Sequence, residues 1–196
     1  MGRDMLLSGK GPSGMTAILI WLCYLAFPVL AILAAARDLT HFTLPNWISG
    51  ALALAFAAFA LITGLPGLGV LQHIGVAALV LAAGFGLFLL GWIGGGDAKF
   101  AAAAALWMGP GGTVPFLAIA AILGGFLTIA VLLFRRQALP LALARIDWID
   151  RLHDTREGVP YGVALALGAL LIFPYTDTFA FMVRQLDMAT SSLTLF

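Results

Sequence analysis

The sequence predicts an all-α polytopic membrane protein: a compact bundle of six transmembrane helices, the fourth of them short, with an amphipathic segment on the cytoplasmic surface. Three observations predict it. Of the 196 residues, 62% are hydrophobic and only 10% are charged, against about a quarter charged in soluble domains. The apolar residues gather into runs long enough to cross a hydrocarbon layer of about 30 Å at about 1.5 Å per helical residue. Clusters of glycine and proline mark the boundaries between the runs.

The first run is Met15 to Ala36, the second Trp47 to Leu65, the third Val70 to Ile93, the fifth Val114 to Phe134 and the sixth Val159 to Tyr175. None contains Asp, Glu, Lys or Arg. The first run has 22 residues, more than the roughly 7 to 15 of a signal-peptide core, so it reads as an anchor that stays. Pro45-Asn46 opens the second helix, because proline can start a helix but cannot continue one. Gly64, Pro66, Gly67 and Gly69 predict a tight hairpin between the second and third spans. Gly94-Gly95-Gly96 closes the third. The fourth helix, Ala98 to Met108, begins beside Asp97 and stops at Gly109-Pro110-Gly111-Gly112.

Outside the spans, residues 1–14 are rich in Gly, Ser and Pro and are expected to form a flexible tail ahead of an integral membrane domain over 15–175. Residues 176–196 mix Phe179, Phe181, Met182 and Leu186 with polar residues, which suggests a short interfacial piece that frays. The link from Arg135 to Gly158 carries Leu141, Leu143, Ile146, Ile149 and Leu152 at helical spacing among charged residues, with Trp148 as a headgroup anchor. An amphipathic helix on the membrane surface and a solvated connector both fit it. Within the spans, Gly84, Gly86, Gly91, Ala101 to Ala105, Gly124 and Gly125 are small enough to let helix backbones approach closely in lipid.

A formal net charge of +1 supplies no long-range basic field, which argues against nucleic acid as a partner. The lone Cys23 has no intrachain disulfide partner. His41, His73 and His153 lack the His-Glu-x-x-His spacing of a zinc site, so neither a catalytic metal nor another cofactor is expected. Orientation follows from Lys and Arg in the short loops. With the N-terminus outside, the inner side holds seven of them (Arg37, Lys99, Arg135, Arg136, Arg145, Arg151 and Arg156) and the outer side three (Arg3, Lys10 and Arg184). Arg3 and Lys10 pull the other way locally.

This topology places Asp38 and Asp97 together on the cytoplasmic side. A carboxylate near the hydrocarbon boundary costs about 2.5 to 3.5 kcal/mol on insertion scales, so it usually pairs and usually has a role. Three glycines in a row ahead of Asp97 sacrifice helix stability unless backbone access is useful. Two carboxyls that share one proton can hold a water between them, one taking its proton while the other donates to a carbonyl oxygen. Helix ends divide the roles, with Asp97 at a helix start as the initial base and Asp38 at a helix end as the acid. Other readings remain for each residue alone. Asp38 can be an interfacial ion or a cap, and Asp97 can cap the fourth helix and pair with Lys99. Lys99 itself fits a substrate contact, a modulator of Asp97 or a snorkelling anchor.

Asp38 with Leu44-Pro45-Asn46, then Gly94-Gly95-Gly96-Asp97-Ala98-Lys99, then Val159-Pro160-Tyr161-Gly162-Val163-Ala164, resembles in order and spacing the type IV prepilin peptidases, Gly-x-Gly-Asp membrane aspartic peptidases. The resemblance runs from about Met15 to Tyr175. It implies that Asp38 and Asp97 are a catalytic pair. Gly94, Gly95, Gly96, Lys99, Pro45, Asn46, Pro160, Tyr161 and Gly162 would then support the site, Tyr161 either lining the cleft or only packing. It further implies a bacterial inner-membrane enzyme that removes the leader of a prepilin or pseudopilin at the cytoplasmic face, in company with the lipid bilayer and a pilus assembly machinery. With one cysteine and no room for a cysteine-paired cytoplasmic domain, the chain is similar to the CpaA-like members of tight-adherence (Flp) pilus systems, which implies cleavage without N-methylation. The Thr-His-Phe-Thr stretch after Leu39 departs from the basic residues that relatives often carry there. A small proton- or cation-coupled transporter and a non-enzymatic component of a secretion assembly are the competing classes.

Overall fold

The computed structural model describes residues 14–140 and 142–193, and all of its regular structure there is helical. The tail expected over 1–14, apart from Gly14, and Leu141 of the expected amphipathic segment lie outside the described residues. Helix α1 spans Gly14–His41, α2 Asn46–Thr63, α3 Gly67–Leu89, α4 Gly95–Arg135, α5 Asp147–His153, α6 Tyr161–Ile172 and α7 Asp177–Leu193, with a 3-10 turn at Phe173–Tyr175 between the last two. Pro45 and Pro66 stand immediately before α2 and α3 in extended conformation, where a missing N–H costs nothing. Four helices are long and apolar enough to cross a membrane, or five if the bent pair Tyr161–Tyr175 and Asp177–Met188 acts as one span. The expected six spans are therefore not all separate helices.

The difference lies in α4, whose 41 residues join the expected short fourth helix to the fifth. The join is not straight. Gly109 has φ 65 and ψ −174, a combination essentially restricted to glycine. A continuous helix would put Asp97 and Ala121 about 36 Å apart, yet both line one groove of about 550 Å³. The chain therefore turns back at Gly109. The first half packs on α3 through Gly84 and Ala98, and the second half packs on α6 through Ala120 and Gly168, at both of which an added Cβ would sit about 3.0 Å from its neighbour. Gly86 and Gly125, also expected to aid close packing, face open space.

Pro110 follows the turn, and its ring nitrogen cannot donate to the carbonyl of Leu106 one helical turn earlier. His73 of α3 replaces that donor, its Nδ1 lying 2.7 Å from the Leu106 oxygen. A carbonyl only accepts, so Nδ1 carries the proton. The Thr113 hydroxyl donates to the Gly109 carbonyl at 2.7 Å and secures the other side of the turn.

Below this turn lies an aromatic core. Trp107 is fully buried, donates through Nε1 to the Leu52 carbonyl at 2.9 Å, and lies within 5.5 to 6.1 Å of Phe27, Phe56, Phe59 and Phe173. The cluster ties α1, α2, α4 and the 3-10 turn together. In lipid, where apolar burial drives little, such contact packing and the hydrogen bond hold the helices in place.

Two peripheral segments complete the described chain. The link after α4 is helical only over Asp147–His153, with no buried residue. It is strapped to the end of α4 by Arg135, whose guanidinium donates to the carbonyls of Leu152, Glu157 and Gly158 at 2.8 to 3.0 Å. The residues after Tyr175 form α7 of 17 residues instead of a short fraying piece. Met182 and Leu186 are buried, and Phe179 meets Tyr24 of α1 at 5.6 Å.

Candidate active site

Helix α1 runs past its apolar segment to His41, so Asp38 sits within its last turn and not beyond it. The Asp38 carbonyl accepts the Phe42 N–H at 2.8 Å, and Phe42 adopts φ 55. This left-handed residue ends the helix and folds Leu44 back toward Asp38. The Asp38 side chain is only 4% exposed, unlike an interfacial ion. Its Oδ2 is buried without a hydrogen-bond partner among the described residues. The first-turn amides of α6, on Gly162 and Val163, face the carboxylate. These amides offset part of the cost of burying the carboxylate, while Oδ2 keeps no close donor of its own, and a buried acceptor left so costs about 1 to 3 kcal/mol. Native proteins keep few of them without a reason.

Asp97 is the third residue of α4 and is half-buried. Its Oδ2 accepts the Gly94 N–H at 3.3 Å, the reciprocal half of a capping box. Gly94 has no side chain to complete that box. Asp97 lies near enough to Asp38 for their charges to interact, and it acts likewise on Tyr161. A hairpin fold, through α2 and α3, thus brings together two acids that the sequence separates.

The motif residues around them interlock. Lys99 Nζ donates to Asn46 Oδ1 at 2.9 Å, joining the starts of α2 and α4. A Cβ on Gly96 would lie 2.8 Å from the Leu44 carbonyl oxygen, so only glycine lets the Leu44-Pro45 turn approach α4. A Cβ on Gly162 would lie 2.7 Å from Leu44 Cδ1 and 2.8 Å from Asp38 Oδ2. Gly95 only meets the Phe88 ring at ordinary contact, 3.4 Å. Pro160 is fully buried at the start of α6. Tyr161 lines the 550 Å³ groove with Asp97, and its ring lies on Gly124, where an added Cβ would fall 2.6 Å from the hydroxyl. Gly124 reads in the sequence only as a packing residue. Its spacing of 37 positions from Tyr161 carries no local signal.

The groove runs from Asp97 and Tyr161 along α3, both halves of α4 and α6, and its other walls are apolar, including Leu79, Val80, Leu117 and Leu165. Among the described residues its polar lining is Asp97 and Tyr161 at one end, and Thr113. Among the described residues no group of three His, Cys, Asp or Glu could hold a metal ion.

An all-α bundle with several membrane-crossing helices, and two acids interacting at one end of it, defines a multi-pass membrane protein with a paired-carboxylate site. The model of the type IV leader peptidase family matches residues 25–129, more than half of the chain, and the chain belongs to that family. It is accordingly a peptidase, a hydrolase of the membrane. The matched residues include Asp38, Leu44-Pro45-Asn46 and Gly94 to Lys99, while Pro160, Tyr161 and Gly162 lie beyond them. No curated protein and no solved structure matches the chain significantly.

Proposed function

We propose that the protein is an aspartic endopeptidase in which Asp38 and Asp97 form the catalytic dyad, cutting the leader from a prepilin or pseudopilin. The observation that carries this reading is the buried Asp38, whose Oδ2 has no close donor, beside a second acid that lines an apolar groove. A water between the two carboxyls loses a proton to the ionised one as its oxygen bonds the scissile carbonyl carbon. The protonated carboxyl gives its proton to the carbonyl oxygen. Collapse of the tetrahedral intermediate breaks the C–N bond, with the proton taken from water delivered to the leaving nitrogen. Two like charges this near favour a singly protonated pair, which is the state the chemistry uses.

The supporting residues act by position. Lys99 and Asn46 fix the start of α4 against α2, Gly96 and Gly162 admit Leu44 to the dyad, and Gly94 orients the Asp97 carboxyl. The apolar groove suits an apolar stretch of substrate that adjoins the cut and stays in the membrane. Counting the turn at Gly109 as a return through the bilayer gives six passes, with the N-terminus outside and the dyad at the cytoplasmic face of the bacterial inner membrane. The excess of Arg and Lys at that end supports this orientation. The single Cys23 and the compact α1 to α2 turn support cleavage without N-methylation, as in CpaA-like enzymes of tight-adherence pili.

Incubation of the purified protein with a candidate prepilin, followed by N-terminal sequencing of the product, tests the reading. One new N-terminus is expected, at the boundary between leader and apolar segment and unmethylated. Cleavage that persists in both Asp38→Asn and Asp97→Asn would reject the dyad.

A further inference from the structure

The end of the bundle opposite the aspartates carries a second cleft of about 340 Å³, between α7 and the turn from α2 to α3. Its polar lining consists of His73, Asp177, Thr178 and Arg184, and its apolar lining includes Leu65, Pro66 and Phe181. No step of the proposed proteolysis uses these residues.

Asp177 and Arg184 are seven positions apart on α7. Two turns of helix place them on one face, about 10 Å apart along the axis. Opposite charges at that spacing offer an anion site and a cation site side by side. His73 adds a second acceptor. Its Nδ1 proton is committed to the Leu106 carbonyl, so the neutral ring has only the Nε2 lone pair to offer. Thr178 is 4% exposed, and its hydroxyl has no hydrogen-bond partner among the described residues.

We propose that this cleft binds the headgroup of a phospholipid with a primary amine, a phosphoethanolamine headgroup, its phosphate on Arg184 and its ammonium between Asp177 and His73 Nε2. The charge pattern selects among headgroups. An anionic headgroup without an amine leaves Asp177 facing negative charge. A quaternary choline has no N–H to give the carboxylate or the imidazole. A guanidinium suits the phosphate because it donates through several N–H groups at once. The lipid source follows from the apolar part of the lining. Leu65 and Pro66 lead onto the exposed Leu61 and Leu68 of the flanking helices, a path for acyl chains that a free phosphoethanolamine could not use.

Native mass spectrometry on the delipidated full chain tests this, with phosphatidylethanolamine, phosphatidylcholine and phosphatidylglycerol of identical acyl chains supplied in equal amounts. The ethanolamine lipid is expected to be retained about tenfold over the other two, as charge-assisted hydrogen bonds of this kind allow. Asp177→Asn and Arg184→Gln should each bring it to parity, while Asp38→Asn keeps the preference. Both substituted side chains are exposed, so the variants should melt with the parent protein. Parity among the lipids in the parent protein, or a preference unchanged in both cleft variants, would overturn the proposal. Binding of soluble phosphoethanolamine as tight as that of the lipid would overturn the lipid assignment.

Discussion

Gly162→Ala places a methyl group where the dyad has no room for one. Its Cβ would lie 2.8 Å from Asp38 Oδ2, 2.9 Å from Asp38 Cγ and 2.7 Å from Leu44 Cδ1. Relaxed contacts of this kind need about 3.5 Å or more, so the Asp38 carboxyl or the start of α6 must shift by about 0.7 Å. A displacement near 1 Å at a reacting centre can cost about a hundredfold in rate, equivalent to about 2.7 kcal/mol of barrier. We therefore expect kcat/KM for prepilin cleavage to fall about a hundredfold, with a near-parental melting temperature because the clash is confined to side chains at one end of the bundle. Gly125→Ala is the control, since nothing lies within 4 Å of its Cβ. It should cleave normally and melt no lower, because alanine favours a helix interior over glycine by about 0.5 to 1 kcal/mol. A Gly162→Ala enzyme that is folded and within about twofold of the parent in kcat/KM would refute the steric account of this glycine.

Other substitutions probe the turn, the core and the motif interlock. Gly109→Ala meets an unfavourable backbone region and a His73 ring whose Cε1 would be 2.6 Å away, so unfolding in detergent should show a loss of about 3 kcal/mol or more; an unchanged midpoint contradicts the turn. Trp107→Ala should cost about 3 to 5 kcal/mol by the same measurement. Trp107→Phe, which keeps most of the ring contacts but loses the hydrogen bond to Leu52, should cost about 1 kcal/mol. Asn46→Leu removes the acceptor of Lys99 and should slow cleavage severalfold, whereas Asn46→Asp, which keeps an acceptor, should cleave near the parental rate. Equal losses in the two Asn46 variants would mean that the Lys99 contact has no positioning role.

The spans were readable because lipid imposes a length and a composition on each helix, and Pro45, Pro66 and the glycine clusters punctuated them. The fourth and fifth runs and the break between them at Gly109 to Gly112 were visible, but the way the break is built was not. A four-residue break in composition, Gly109 to Gly112, becomes one residue of unusual backbone because His73 supplies a donor from 33 positions away to the carbonyl that Pro110 leaves open. No local pattern encodes that contact. The segment from Arg135 to Gly158 carried helical spacing yet forms one short helix among the described residues, where none of its apolar positions is fully buried and Arg135 holds the carbonyls of Leu152, Glu157 and Gly158. Conversely, α7 has weak hydropathy but finds a partner on α1 for Phe179, and Met182 is buried in the core.

At the site, Asp38 and Asp97 stood out because a carboxylate is costly near hydrocarbon. Their burial and mutual approach depend on α6. Gly162 and Tyr161 occupy that approach, and their steric partners, Leu44 and Gly124, lie far away in sequence.

Cleavage by Asp38→Asn, Asp97→Asn and the double variant, each set against the parent on one prepilin, tests the central claim most directly. Two carboxyls that act as one unit predict that either single change costs about a thousandfold or more, and that the double variant is scarcely slower than either single one. A single variant that keeps substantial activity, or losses that simply multiply in the double variant, would contradict a shared dyad.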